Sequence, residues 1–427
     1  MKTTNRVLAT AIATLFIAPA AFATNGTNMT GISAPSAALG GTGTAAYFGP
    51  SNVITNPALI GKSTGTNFGF GGTLFKPSVS NDGLMGDGTH KASSAADTFM
   101  IPSVSLTSRI NDNMTFGIGM YGTSGMGVDY KNATGANGML LNAQSTLQIM
   151  RIVPTIAYNK DNYGVGFSPI IQYGALDINY NNALAPNAPA VGSGMSSDLG
   201  YGFTLGGFYD VTKQLTLGAA YTSAIDMKYK NQLSTASAPF VGLIPTAFGD
   251  NLAQPAEIKV GAAYTMGNIM VTGDLKQIRW SEATGYKEFG WQDQNVIALG
   301  LKYSGNGYWL GVGFNKADNP IKAQDANLAT GGTTAGAVTN MFNNMFFPAT
   351  TESHFSFGGG YNLTKAVSIN GAVVYAPEVT TTVDTSGITQ AMAMGQGAPM
   401  NMAMGATSSN TTSHSQLGYT VSVQYKF

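Results

Sequence analysis

The 427-residue sequence has no cysteine, only three histidines and little charge, and these shortages narrow the class of protein. Only 10% of residues are charged, whereas ordinary soluble domains carry about 25%. A chain of this length has too few charges to cover a water-facing surface. Lysine plus arginine and aspartate plus glutamate balance at 21 each, so no electrostatic case exists for nucleic acid. After Ala23 no uninterrupted apolar stretch of about 18–20 residues occurs, which excludes spanning helices. The lack of cysteine is compatible with an oxidising compartment without establishing one. What is abundant is glycine, at 55 residues, with 10% aromatics. An exported chain of this composition can satisfy its backbone in lipid by closing into a β-barrel.

Export is written at the start of the chain. Lys2 and Arg6 form a basic region, Val7 to Ile17 is an apolar run, and Ala21-Phe22-Ala23 is an A-x-A cleavage site. Residues 1–23 therefore read as a secretory signal peptide rather than a buried helix, with the mature chain beginning at Thr24.

Residues 24–62 are small and polar with glycine and proline throughout, and they show neither helical nor strand periodicity. Nearly everything after them alternates. The expected fold is all-β, a 14-stranded antiparallel transmembrane barrel over residues 63–427 with residues 24–62 as an N-terminal plug inside the lumen. The strands are expected near 66–76, 98–109, 114–124, 144–158, 163–180, 198–209, 214–230, 256–266, 268–281, 293–304, 307–317, 352–362, 366–378 and 415–427. The connections alternate between short turns such as Asn111-Asp112-Asn113 and long loops, the pattern of periplasmic turns and extracellular loops.

Strand parity separates a lipid face from a lumen face. In 418–427 every odd residue, from Tyr419 to Phe427, is aromatic or aliphatic, and every even one is small or polar up to Lys426. Carried along the chain, the same parity puts Arg151, Lys259, Asp274, Lys276 and Lys302 inward. The excess of cations would suit a carboxylate, with Arg151, Lys259, Lys276 and Lys302 near the ligand. The alternative is that these charges pair with one another or with the plug.

Three of the long loops are apolar. They contain Phe240 and Leu243, Phe346 and Phe347, and the Met-rich run that includes Met392 and Met394. Exposed apolar patches mark interaction sites and methionine adapts to varied apolar ligands, so these residues are candidates for an external groove. They could equally pack together as a lid. A Cu(I) site at the Met repeats is a remote reading, and neither a metal nor a cofactor is expected.

The segments Gly40-Gly41-Thr42-Gly43-Thr44-Ala45 and Asn56-Pro57-Ala58-Leu59 resemble the N-terminal hatch of the FadL/TodX family of outer-membrane channels for hydrophobic compounds. The resemblance continues through 101–117 and 314–320. It implies a Gram-negative outer-membrane channel for long-chain fatty acids or aromatic hydrocarbons, with uptake at an apolar external groove. It also implies passage to a site near the plug's N-terminus and sideways exit at a kinked third strand. Gly117, Gly119 and Gly122 in the third strand suit such a kink. Two departures are a short third external connection and a polar mature N-terminus, Thr24-Asn25-Gly26-Thr27. The expected partners are the hydrophobic solute, outer-membrane lipids with lipopolysaccharide, and the barrel assembly machinery reading Phe427. The expected state is a monomer.

Other readings are weaker. Gly117 to Gly122 fits G-x-G-x-x-G but lies in a strand with no helix following, which argues against a dinucleotide site. A nonspecific porin would need a polar bore past the plug. A lipid hydrolase would need His354 or His414, expected at the outer rim, to bond a neighbouring serine among Ser353, Ser413 and Ser415.

Overall fold

A computed structural model describes residues 24–182 and 189–427. The expected signal peptide, 1–23, lies outside the described residues. Fourteen long strands form the wall: β1 (Thr66–Asn81), β2 (Phe99–Arg109), β3 (Met114–Asp129), β4 (Gln144–Lys160), β5 (Tyr163–Asn179), β6 (Ser196–Asp210), β7 (Leu215–Thr222), β8 (Glu257–Met266), β9 (Ile269–Ile278), β10 (Gln294–Ser304), β11 (Tyr308–Ala317), β12 (Ser353–Asn362), β13 (Val367–Asp384) and β14 (Ser409–Lys426). Each pairs antiparallel with its sequence neighbour, and β14 pairs back onto β1 from Thr412↔Asn81 to Lys426↔Asn67. Closure of β14 on β1 leaves neither terminal strand of the wall with a free edge, which a sheet in hydrocarbon cannot tolerate.

Near the short turns the outer face is apolar. Tyr163, Val165 and Phe167 of β5 point outward and exposed, while Gly164, Gly166 and Ser168 are buried inside. Val421, Val423 and Tyr425 of β14 repeat this against buried Thr420 and Ser422. Toward the long loops the parity of polarity reverses. Leu147 and Ile149 of β4, Leu176 and Ile178 of β5, and Met126 and Val128 of β3 are buried inside the wall, and the outward residues between them, Gln148, Asp177 and Gly127, are polar or small. The reversal marks where the wall leaves lipid: beyond it the barrel is a water-facing shell around an apolar core.

This reversal explains where strand ends differ from expectation. β1, β3 and β13 run on to Asn81, Asp129 and Asp384, and β14 starts at Ser409, because the wall continues past the apolar girdle. By contrast β7 stops at Thr222 rather than near 230. Ile225, Met227 and Tyr229 keep the alternation but are joined to residues 250–254 by isolated bridges such as Ile225↔Gln254 and by single backbone bonds, with their side chains in the core.

Residues 24–62 lie inside the wall. They form two two-residue strands, Thr24–Asn25 and Asn28–Met29, two short helices, Ala34–Ala38 and Asn52–Thr55, and a 3-10 turn, Pro57–Lys62. Too short to bury a core of their own, they are held by bonds to inward side chains of the barrel.

Candidate functional site

The Asn-Pro-Ala-Leu stretch is seated against β5 and β6. Asn56, fully buried, caps the 3-10 turn by accepting from the Ala58 amide at 3.1 Å. Its amide nitrogen donates to the Thr44 carbonyl at 2.7 Å and to the Gly207 carbonyl of β6 at 3.0 Å. Gly166 and Gly206 face each other in the β5–β6 register. A Cβ on Gly206 would strike Pro57 and the Asn56 carboxamide, and one on Gly166 would strike the Pro57–Ala58 backbone. The paired glycines thus form a flat notch for Pro57. Leu59 and Ala58 pack on Phe208, and Lys62 closes the end with an ion pair to Asp210 at 2.6 Å.

The inward charges gather on one side. Arg151 of β4, Lys259 of β8 and Lys276 of β9 line a cavity of about 70 Å³ together with Glu257 and Asp274. Both carboxylates hold the plug. Asp274 Oδ2 accepts from the Gly43 and Thr44 amides, each at 2.9 Å, and Glu257 Oε1 accepts from the Asn28 side chain at 2.9 Å. Lys259 stands 3.7 Å from Glu257, and Arg151 donates to Gln172 at 2.9 Å. Lys302 is separate: its ammonium lies 5.4 Å over the Trp309 ring.

The wall has a gap beside β3. β2 and β3 pair only from Arg109↔Thr115 to Ser103↔Tyr121. The remainder of β2, up to Phe99, stays with β1, and the remainder of β3 stays with β4. Pro102, which has no N–H to give, stands at the point of separation. A register shift between Gly122 and Ser124 leaves Thr123 as a bulge. Gly122 borders the bulge, whereas Gly117 and Gly119 lie in regular β2–β3–β4 pairing. The far side of the gap is closed by residues 92–95: Ser94 donates to Val79 of β1, and Ala95 to Asp129 of β3, each at 2.8 Å.

The start of the plug is stitched to this unpartnered part of β3. Asn28 pairs with Ser124, and the Gly125 amide donates to the Thr27 carbonyl at 3.0 Å. Gly26 takes a positive φ of 63° at the hairpin tip, against Trp280. The Thr24 amide donates to Gln416 at 3.1 Å.

The model of the family described as outer membrane protein transport protein (OMPP1/FadL/TodX) matches residues 9–427. The chain belongs to this family. Among solved structures it is similar to the toluene transporter TodX of P. putida, at 18% identity and TM-score 0.64 over 93% of this chain and 99% of that one. A Pseudomonas aeruginosa FadL homologue gives 15% identity and TM-score 0.66 over 94% and 100%. The Ralstonia pickettii toluene transporter TbuX gives 18% and 0.62 over 93% and 99%. At these identities the likeness is one of fold. Among curated proteins, a stretch of 76 residues is 45% identical to an uncharacterized protein from the 5′ region of a phosphoenolpyruvate carboxykinase gene of Chlorobium limicola. That stretch is 17% of this chain and spans 37% of the length of that relative.

As a member of this outer-membrane family the chain places its long loops outside the cell. These loops fold into the barrel mouth. Phe240, Phe346 and Phe347 are buried there, with Phe342 stacked 5.2 Å from Phe346 and edge-on to Phe240 at 5.5 Å. Leu243 and Met392 pack on the same core and Met394 is half-buried at the rim, so these six residues cap the mouth rather than line an open groove. The cap is anchored to the wall: Ser145 donates to the Phe346 carbonyl at 2.5 Å and Thr412 to the Asn344 carbonyl at 2.6 Å. A single π-helical turn, Phe342–Phe346, makes the descent.

Sequence reasoning missed several residues here. Trp280, Tyr286 and Trp291 form a buried triangle with ring centroids 4.6–4.9 Å apart beneath the cap. Burial pushes the Tyr286 phenol above its ordinary range, so it stays neutral. Glu257 was findable, because it shares the inward parity of Lys259 two residues on. His354 and His414, expected at the outer rim, are both buried, His414 against Pro348. His414 bonds the Pro348 carbonyl at 2.7 Å and Gln416 at 3.1 Å. Among the described residues neither histidine bonds a serine.

Proposed function

We propose that the protein is a passive outer-membrane channel for hydrophobic compounds, long-chain fatty acids or aromatic hydrocarbons, releasing them sideways through the gap beside β3. The observation that carries this reading is the parting of β2 from β3 at Tyr121, bordered by the plug's own hairpin on one side and by residues 92–95 on the other. An opening in the wall, rather than a bore to the periplasm, suits solutes that prefer lipid to water. The similar toluene transporters TodX and TbuX support the same class. The apolar loops stand at the mouth that an incoming molecule would reach first, and the cations Arg151, Lys259 and Lys276 line a charged chamber that would match a carboxylate.

In this reading the protein does its work without catalysis, as a monomer among lipids and lipopolysaccharide, with Phe427 presented to the assembly machinery and residues 24–62 acting as the hatch. The test is saturable binding of toluene and of oleate to the purified barrel, combined with planar-bilayer recording. Binding with low conductance supports the channel. Large, steady ion conductance with no binding would make it a nonspecific porin.

A further inference from the structure

Two small apolar cavities lie between the cap and the gap in the wall. The outer one, about 10 Å³, is lined by Leu233, Tyr286, Phe289, Trp291 and Phe347. The inner one, about 20 Å³, is lined by Gly26, Pro77, Val79, Gly125 and Pro348 at the gap itself, beside His414. A single residue borders both: Met126 of β3. Across from it the chain passes from Phe347, on the outer cavity, to Pro348 and Ala349, on the inner one.

We propose that the Met126 side chain is the gate of the hydrophobic passage, and that its swing joins the two cavities into one path from cap to bilayer. The inference rests on the channel reading above and adds the moving part. An apolar cavity that accepts benzene is on the order of 150 Å³, so neither chamber admits even a small arene as it stands. Some side chain must yield. Methionine is unbranched and has three rotatable bonds, so it changes shape at little cost. The other large residues near the partition are less free. Trp291 is tied to Asn343 at 2.9 Å and packed in the aromatic triangle, and Phe347 is continuous with the anchored π turn. Met126 also has an unusual backbone: it pairs with Leu147 of β4, has no β2 partner on its other side, and follows Gly125, which the plug holds through Thr27. The gate and the plug hairpin therefore share one attachment.

Because the chain has no cysteine, Met126→Cys supplies a unique thiol that can be enlarged after folding. The variant is purified, checked for the heat-modifiable migration of a closed barrel, and split. One half is treated with methyl methanethiosulfonate, which restores a Met-like length, and the other with the benzyl reagent. Toluene flux into proteoliposomes is then compared with that of wild type and Met126→Ala. The methyl adduct should behave as wild type, and Met126→Ala should be faster. The benzyl adduct should fall about tenfold or more, the effect of overfilling a closed site by several carbons, and a reductant should restore it. Equal flux through methyl and benzyl adducts would overturn the gate while leaving the channel intact. Wild-type protein that moves no toluene or oleate would instead overturn the channel reading on which the gate depends.

Discussion

The hydroxyls of Thr27 and Ser124 lie 2.7 Å apart, joining the tip of the plug to the stretch of β3 that β2 has left. Ser124 is also within 2.9 Å of the Thr27 carbonyl, and the Gly125 amide reaches the same carbonyl at 3.0 Å. The hairpin thus substitutes for a missing strand. Ser124→Ala removes the hydroxyl contacts and keeps the backbone bond, so it should weaken docking by about 1 kcal/mol. Amide exchange at Gly125 should quicken about fivefold, while β5 and β6 amides are unchanged. An unaltered Gly125 rate would show that the hairpin is held by other contacts.

Asn56 makes bonds to Thr44, Ala58 and Gly207 from a fully buried side chain. Removing it leaves the Gly207 and Thr44 carbonyls without that donor, a cost of about 1–3 kcal/mol for each group left buried and unpaired. The wall does not depend on it, because its ladders close without residues 24–62. Asn56→Ala should therefore free the plug to limited proteolysis between residues 24 and 62 and raise conductance bursts, with heat-modifiable migration unchanged. Loss of the folded barrel instead would make the motif an assembly element.

The number and order of the wall strands were legible because two independent signals agreed: period-two alternation and turns such as Asp161-Asn162, where Asp161 takes a positive φ of 52°. Strand ends were less legible, since beyond the lipid girdle the same alternation continues with its polarity reversed. Met126 and Val128 lie beyond the expected end of the third strand at residue 124, yet the strand carries both inward. The parting of β2 from β3 had one visible signal, Pro102 inside a strand, which normally marks an edge. The glycines expected to make the kink, Gly117 and Gly119, pair regularly; the bulge falls at Thr123, a residue with no propensity to announce it. The folding of Phe342 to Pro348 into the mouth, which sets the Pro348 carbonyl against buried His414, depends on contacts with Ser145, Asn410 and Thr412 far away in sequence.

Gly206 tests the seating of Pro57 from the wall's side. Its outward-facing strand neighbours are unaffected by a larger inward residue, and only the plug stands in the way of a Cβ. Gly206→Val should therefore displace the Asn56–Pro57 turn and cost about 1–3 kcal/mol in plug docking, with the β5–β6 register intact by cross-strand exchange protection. Wild-type plug protection in this variant would mean that Pro57 is not held by the glycine notch.

The charged chamber serves either the plug or a carboxylate ligand, and the two roles separate by substitution. Asp274 and Glu257 point their oxygens at plug donors, so Asp274→Asn should loosen residues 43 and 44 whatever the solute, removing charge-assisted bonds of about 1.5–3 kcal/mol. Lys276 differs: among the described residues no carboxylate lies within 4.0 Å of its ammonium, and it makes no hydrogen bond to the plug. If the chamber receives a headgroup, Lys276→Gln should weaken oleate binding about tenfold, or about 1.4 kcal/mol, and leave toluene binding and plug protection unchanged. Equal losses for both ligands would assign Lys276 to holding the plug, and no loss for either would remove the chamber from the path.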